Sequence, residues 1–178
     1  DGTGILRSLL HHKVEQGLVI INDPAAVAAL QDAAPGAVRQ LAVGGRGSPL
    51  DAGPVNLAVT FVSRSDGHFT LEDPNSHLAS MNGLHIAMGP CAVVRTAGIT
   101  LLLTSRKTAP FDLGQLRSQG IEPTKLSVIA VKAAVAHRRA YDPIATSMFW
   151  VDTPGPCSSN LKTLPYKHIR RPIYPLDS

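Results

Sequence analysis

Apolar residues fall at helical spacing from the start of the chain. Ile5, Leu6, Leu9, Leu10 and Val14 share one helix face, while His11, His12, Lys13 and Glu15 look outward. Asp1-Gly2-Thr3 precedes this run, so Asp1 or Thr3 can cap its free N–H groups, and Gly17 is placed to end it. Residues 18–21 read as a short apolar strand. Asp23-Pro24 is an N-cap followed by proline at the first helical position, which predicts a helix over 25–30 stopping before Pro35-Gly36. A strand over 38–43 follows. Strand, Asn-Asp-Pro, helix is the opening of an α/β protein.

From Val55 the period changes to two: Val55, Leu57, Val59 and Phe61 alternate with Asn56, Ala58, Thr60 and Val62. Ser65-Asp66-Gly67 is a hairpin-turn signal with 68–71 as the returning strand. Three more short strands, 84–88, 91–95 and 99–104, are separated by Gly89-Pro90 and Ala97-Gly98, and this middle part predicts an antiparallel meander. Asp112 opens a helix with Gln115 in the capping-box position, Leu113 and Leu116 facing inward and Gly120 closing it.

The stretch 125–145 organises the rest. Its first half is apolar and β-branched, which predicts a strand buried on both faces. Beyond it come Lys132, His137, Arg138 and Arg139, with no acidic side chain between Glu122 and Asp142. A buried strand with cations at its C-terminal end is the usual way an α/β sheet presents polar groups to a ligand. The alternative is a solvated helix face. Residues 138–145 read as a short helix and 148–151 as a further strand. The fold class expected is α/β, with α+β as the alternative: a mixed sheet with flanking helices and an antiparallel meander in the middle. Residues 1–152 form one domain. Residues 153–178, rich in Pro, Gly and Ser and punctuated by Lys162, Lys167, Arg170 and Arg171, form an extended tail laid over the body or over a partner domain.

Composition narrows the function classes. A chain of 178 residues, 44% apolar and 17% charged, is long enough for a real core. A net charge of +4 permits anionic ligands, but the aromatics Phe61, Phe69, Phe111, Tyr141, Phe149, Trp150, Tyr166 and Tyr174 are scattered, so no nucleic acid is expected. Cys91 and Cys157 have neither disulfide-framework nor metal-ligand spacing and read as buried free thiols in a reducing compartment. No signal-peptide pattern is visible and no apolar run approaches the roughly 18 residues that span a bilayer, so a cytoplasmic location without a membrane partner is expected. The chain starts at Asp1 and enters a helix at once, which reads as the C-terminal piece of something longer.

Candidate chemistry is sparse. His11 and His12 are adjacent, about 100° apart on a helix, and cannot easily share an ion. His68, His77 and His85, with Asp66, Asp73 and Asn75 nearby, lack a metal signature, so no metal ligand is assigned. The loop Gly44-Gly45-Arg46-Gly47-Ser48-Pro49 could hold a phosphate or carboxylate, but without P-loop or dinucleotide spacing it reads as a turn. Ser158-Ser159 reads as capping rather than nucleophilic. Lys132, at the end of the expected buried strand, is a candidate base or charge clamp if burial lowers its pKa. The structural alternative is that it reaches water or pairs with Asp142.

Several segments carry a family resemblance. They are Asp1-Gly2-Thr3, Ser63-Arg64-Ser65-Asp66-Gly67-His68-Phe69, Met88-Gly89-Pro90-Cys91-Ala92-Val93-Val94-Arg95, and Leu103-Thr104-Ser105-Arg106-Lys107. Further on come Leu116-Arg117-Ser118-Gln119-Gly120-Ile121-Glu122-Pro123, Val131-Lys132 with Tyr141-Asp142-Pro143-Ile144-Ala145, Leu164-Pro165-Tyr166, and Arg170-Arg171-Pro172-Ile173-Tyr174-Pro175-Leu176-Asp177. Together they resemble the C-terminal domain of the microcystin-degradation MlrC-type metallopeptidases over nearly the whole chain.

The resemblance implies a larger upstream α/β domain that holds zinc and the catalytic acid, joined to this one by a glycine-rich segment ending at Asp1-Gly2-Thr3. Zinc would be bound mainly by that upstream domain, with none expected in this chain alone, and the substrate would be a linear microcystin-like peptide or a related amide. Many relatives carry Lys-Ser followed three residues later by His and an aromatic. Lys132 matches that lysine, but Ala133 replaces the serine, Ala136 the histidine, and His137 occupies the aromatic position. Catalytic candidates are therefore confined to Lys132, His137 and Asp1. Lys132, Arg138 and Arg106 are the expected binders of substrate carboxylates. A homo-oligomer is compatible with this reading, and a non-catalytic binding or interaction module is the alternative to a hydrolase domain.

Overall fold

The computed structural model describes residues 2–153 and 160–177. Asp1, Cys157 and Ser158-Ser159 lie outside the described residues. The first helix, α1 (Thr3–His11), packs Leu6 and Leu9 inward. Gly2 stands at its N-cap with no side-chain cap. The helix ends at His11 rather than Gly17, because the turn through Lys13 and Gln16 takes positive φ values and Gly17 already belongs to β1 (Gly17–Asn22). The expected cap at the next helix holds: the Asp23 carboxylate accepts from Ala26 N at 3.0 Å at the start of α2 (Pro24–Ala29).

Six strands form one mixed sheet, in the order β2 (Val38–Val43), β3 (Val55–Ser65), β6 (Cys91–Thr96), β7 (Ile99–Thr104), β1 and β8 (Val128–Ala130). The first three pairings across the sheet, β2 with β3, β3 with β6 and β6 with β7, are antiparallel. β1 runs parallel to both β7 and β8. The alternating register of β3 breaks at a bulge between Phe61 and Ser63.

Side-chain alternation explains which strands lie inside. Val19 and Ile21 of β1 join Ile99, Leu101 and Leu103 of β7 in a core closed by α1 and α2. Leu18 and Leu102 point the other way into a second core. Strands apolar at both alternations belong inside a sheet, and these are β6, β7 and β1. The strand expected to be buried on both faces, β8, is instead three residues long at the sheet edge, with Val128 exposed. Its apolar run is short, and one partner strand is all it needs.

The second face is covered by a smaller layer. β4 (His68–Thr70) pairs with β5 (His85–Ala87) in a separate two-stranded sheet, linked by α3 (His77–Asn82), which the sequence pattern did not announce. Ser65-Asp66-Gly67 is thus a turn out of the main sheet and not a hairpin back along β3. Phe69, Leu71, Leu78, Ile86 and Met88 fill the second core with Leu113, Leu116 and Tyr141. The last two elements are α4 (Gly114–Arg117) and α5 (Arg138–Tyr141).

Asp112 does not cap α4 in the expected way, and Gln115 is not its capping-box partner. The buried Asp112 carboxylate accepts instead from the N–H groups of Glu72, Asp73 and Gly114 at 2.8–3.1 Å, tying the small sheet to α4. Gln115 is fully buried and donates to Met88 Sδ at 3.4 Å. Cover is incomplete at the amino ends of β1 and β7. There an open groove of about 720 Å³ is lined by Thr60, Arg95, Thr100, Gln119 and Lys125 among others.

Residues 148–151 form no strand. Phe149, Trp150 and Val151 are 85%, 67% and 60% exposed, an apolar strip left open by the described residues. Thr153 nonetheless reaches the start of α1, where a Cβ on Gly4 would lie 3.0 Å from it. Residues 160–177 are mostly exposed and contain one 3-10 turn, Leu161–Thr163, and an Arg171–Asp177 ion pair. No described helix is long and apolar enough to cross a membrane.

Candidate functional site

The site follows from the topology. β1 and β7 are adjacent and parallel, with Asn22 level with Thr104 at their carboxyl ends. Beyond Asn22 the chain turns onto one face of the sheet, where Ala26, Val27 and Leu30 pack into the first core. Beyond Thr104 it turns onto the other face, where Leu113 and Leu116 pack into the second. Two neighbouring strands whose connections leave on opposite faces open a crevice outside their carboxyl ends, the switch point at which open α/β sheets bind ligands.

The floor of this crevice is a short polar relay. Asn22 Nδ2 donates to the Thr104 carbonyl at 3.0 Å and to Thr104 Oγ1 at 3.4 Å. Thr104 Oγ1 donates to the Arg106 carbonyl at 3.1 Å. Arg106 N donates to the Met88 carbonyl at 2.8 Å and Ser105 N to Pro90 at 3.1 Å, so the rim after β7 is sewn to the small sheet's edge. On the other wall the buried Asp23 carboxylate accepts from Ala26 N, from Gly44 N at 2.7 Å and from Arg46 Nη1 at 2.8 Å. Arg46 also donates to the Ala42 carbonyl. The glycine-rich loop therefore spends its arginine on Asp23 and works as a brace between β2 and α2.

The predicted site residues separate into three groups. Arg106 and Lys132 are exposed, at or just beyond the carboxyl ends of β7 and β8, and neither has a carboxylate partner among the described residues. Lys132 is not on a buried strand, so the burial argument for a base fails there, and it does not pair with Asp142. Asp142 is taken by Arg138, at 3.0 Å, and Arg139 by Asp73, which removes Arg138 from the free cations. His137 is buried at the start of α5 in tilted contact with Tyr141, at 6.4 Å between ring centres. Its Nδ1 is buried and has no hydrogen-bond partner among the described residues.

Burial depresses the His137 pKa below its ordinary 6.5, Asp142 opposes this, and the Arg138 charge adds to it. A histidine that titrates lower in the folded chain takes up its proton more readily when unfolded. The chain then keeps its full stability above about pH 6.5 and loses part of it as pH falls through the folded value. Denaturant midpoints are expected to fall between about pH 7.5 and pH 5, and His137→Phe to flatten that slope. An unchanged slope in the variant would assign the effect elsewhere.

The histidines do not assemble a metal centre. His85 Nδ1 lies 3.3 Å from Thr70 Oγ1, and His68 faces Asp66 at 3.4 Å on the open surface. Among the described residues no group of three or more His, Cys, Asp or Glu side chains converges. The donors among the described residues do not fit a catalytic zinc, which needs three protein ligands. Cys91 is buried, donates to the Gly89 carbonyl at 3.2 Å, and has its thiol pushed up to about 11 by burial. It is an inert packing group.

Asn22 and Thr104 were not singled out by pattern. A local signal existed: each is the first polar residue after an apolar run, of four residues before Asn22 and three before Thr104. Their adjacency is a parallel pairing across 82 positions, which no local period reveals.

A crystal structure of a "putative metallopeptidase" from Mesorhizobium sp. BNC1 superposes with a TM-score of 0.80 at 26% identity. The match covers 98% of this chain and 34% of that one, so the chain spans about a third of its structural relative. A comparison with the curated proteins finds no match. The family model described as MlrC C-terminus matches residues 1–168, and the chain belongs to that family.

Proposed function

We propose that this chain is the C-terminal domain of a metal-dependent amide hydrolase and forms one wall of its active-site cleft at the β1–β7 crevice. The observation that carries the reading is the pair of exposed cations at the carboxyl ends of β7 and β8, Arg106 and Lys132, neither of which has a carboxylate partner among the described residues. Cations without an acidic partner at the carboxyl ends of parallel strands suit a substrate carboxylate. The metal, zinc by family analogy, would be held by an upstream domain of the same polypeptide, since the donors here do not converge. The chain's own part is to bind, orient and keep water out. The exposed strip of Phe149, Trp150 and Val151, with the tail beyond it, would be covered by that upstream domain. Linear microcystin-like peptides, or related amides with a free carboxylate, are the proposed substrates, and the location proposed is cytoplasmic.

Lys132→Ala in the full-length protein is expected to lower kcat/KM about tenfold, mainly through KM, with the melting temperature unchanged. Arg106→Ala is expected to act in the same direction. Arg138→Ala, which breaks an exposed i,i+4 pair, should leave kinetics alone. Unchanged kinetics in both rim variants would reject the assignment. A metal-free full-length protein that binds peptides without cleaving them would favour a non-catalytic binding module.

A further inference from the structure

We propose that Asn22 is a specificity residue: its side-chain carbonyl accepts a hydrogen bond from an N–H of the ligand, next to the carboxylate held by Arg106 and Lys132. This deepens the hydrolase reading and rests on it for the location of the cleft.

The orientation of Asn22 is set by its neighbours. The Thr104 carbonyl can only accept, so the nitrogen end of the Asn22 carboxamide must face it, as the 3.0 Å contact records. The Thr104 hydroxyl gives its own proton to the Arg106 carbonyl and so meets Asn22 as an acceptor too. Two acceptors on one side leave Oδ1 pointing away from the sheet. Asn22 is exposed, and Oδ1 has no donor among the described residues. A carbonyl fixed in this way at a switch point is a preorganised acceptor, with little side-chain entropy left to lose on binding.

The surroundings choose the donor. Arg106 follows Thr104 by two residues and Lys132 lies two residues beyond β8, the strand on the other side of β1, and neither has a carboxylate partner among the described residues. Such a rim disfavours an incoming ammonium and favours a neutral N–H beside an anion. An N-acylated amino acid, which is the C-terminal residue of any peptide not ending in proline, carries both on the same α-carbon. The ligand class assigned is therefore a peptide or N-acyl amino acid with a free terminal carboxylate, read at its last amide N–H.

The test needs no turnover. The chain is titrated with N-acetylglycine, and with N-acetylsarcosine, which keeps the carboxylate and lacks the N–H. Dissociation constants are read from two-dimensional amide spectra. The expected result is about five- to tenfold tighter binding of N-acetylglycine, with the Asn22 side-chain amide among the shifted resonances. Asn22→Leu and Asn22→Ala should bind the two probes equally, while Arg106→Ala weakens both alike. Equal binding in the unaltered chain, no binding of either probe, or discrimination that survives both Asn22 variants would overturn the proposal. Discrimination together with a full-length protein that cleaves no amide would remove the hydrolase reading and leave Asn22 standing. Peptide cleavage without discrimination would do the reverse.

Discussion

Asp23→Ala is expected to destabilise the chain by about 3 kcal/mol, seen as a melting point lower by roughly 6–12 °C. Asp23 is only 3% exposed, and three donors converge on it. Losing the cap at Ala26 N costs about 1 kcal/mol. Leaving Gly44 N buried without an acceptor costs about 1–3 kcal/mol more. The Arg46 bond adds less, because that guanidinium is 47% exposed and screened by water. Arg46→Ala is accordingly expected to cost below about 1 kcal/mol. Equal losses in the two variants would show that the ion pair, and not the backbone bonds, holds this wall. Asp23 is the neighbour of Asn22, so the same substitution should loosen the crevice as well as the fold.

Gly67→Ala is the other large effect, at about 3–4 kcal/mol. Gly67 has φ +73, in the left-handed region, and a Cβ there would collide with the Gly89 carbonyl and lie 2.9 Å from Cys91 Sγ. The conformational part of the cost is about 1–2 kcal/mol. The collision with the Gly89 carbonyl supplies the rest, in a loop so close to Ser105 and Arg106 that a Cβ on Gly89 would itself meet Ser105 Oγ and Arg106. Gly36→Ala provides the comparison, with φ +85 and open space around the new methyl, and should cost only the conformational part. Chemical-denaturation midpoints for the two variants separate strain from clash, and similar values would mean the Gly89 loop yields freely. The displaced loop carries the backbone bonds to Ser105 and Arg106, so the damage is expected to reach the substrate rim.

Much of this fold was legible because it is written locally. The strands around residues 18–21, 38–43, 91–95 and 99–104 were visible as apolar runs between turns, and Asp23-Pro24 announced its helix by cap chemistry that the structure repeats. The errors share one cause. Local periodicity cannot tell a central strand from an edge strand, so the run before Lys132 was read as the buried one while β1 and β7 took that place. It also cannot tell why a segment is apolar. Residues 148–151 have strand composition but no strand partner among the described residues, and Gln115 sits where a cap would be yet is packed against Met88. The candidate site was half legible. Arg106 and Lys132 were named from sequence, whereas Asn22 and Thr104 needed the parallel pairing, and Arg138 needed its partner Asp142 before it could be set aside.

The strip at 149–151 has an optical consequence. The chain contains one tryptophan, and it is the residue at position 150, two-thirds in solvent. Melting the core hardly changes the water around that indole, so its emission is a near-silent witness to unfolding. Stability of the variants above must be followed by far-ultraviolet dichroism, and the lone fluorophore is left free to report on whatever comes to rest against it.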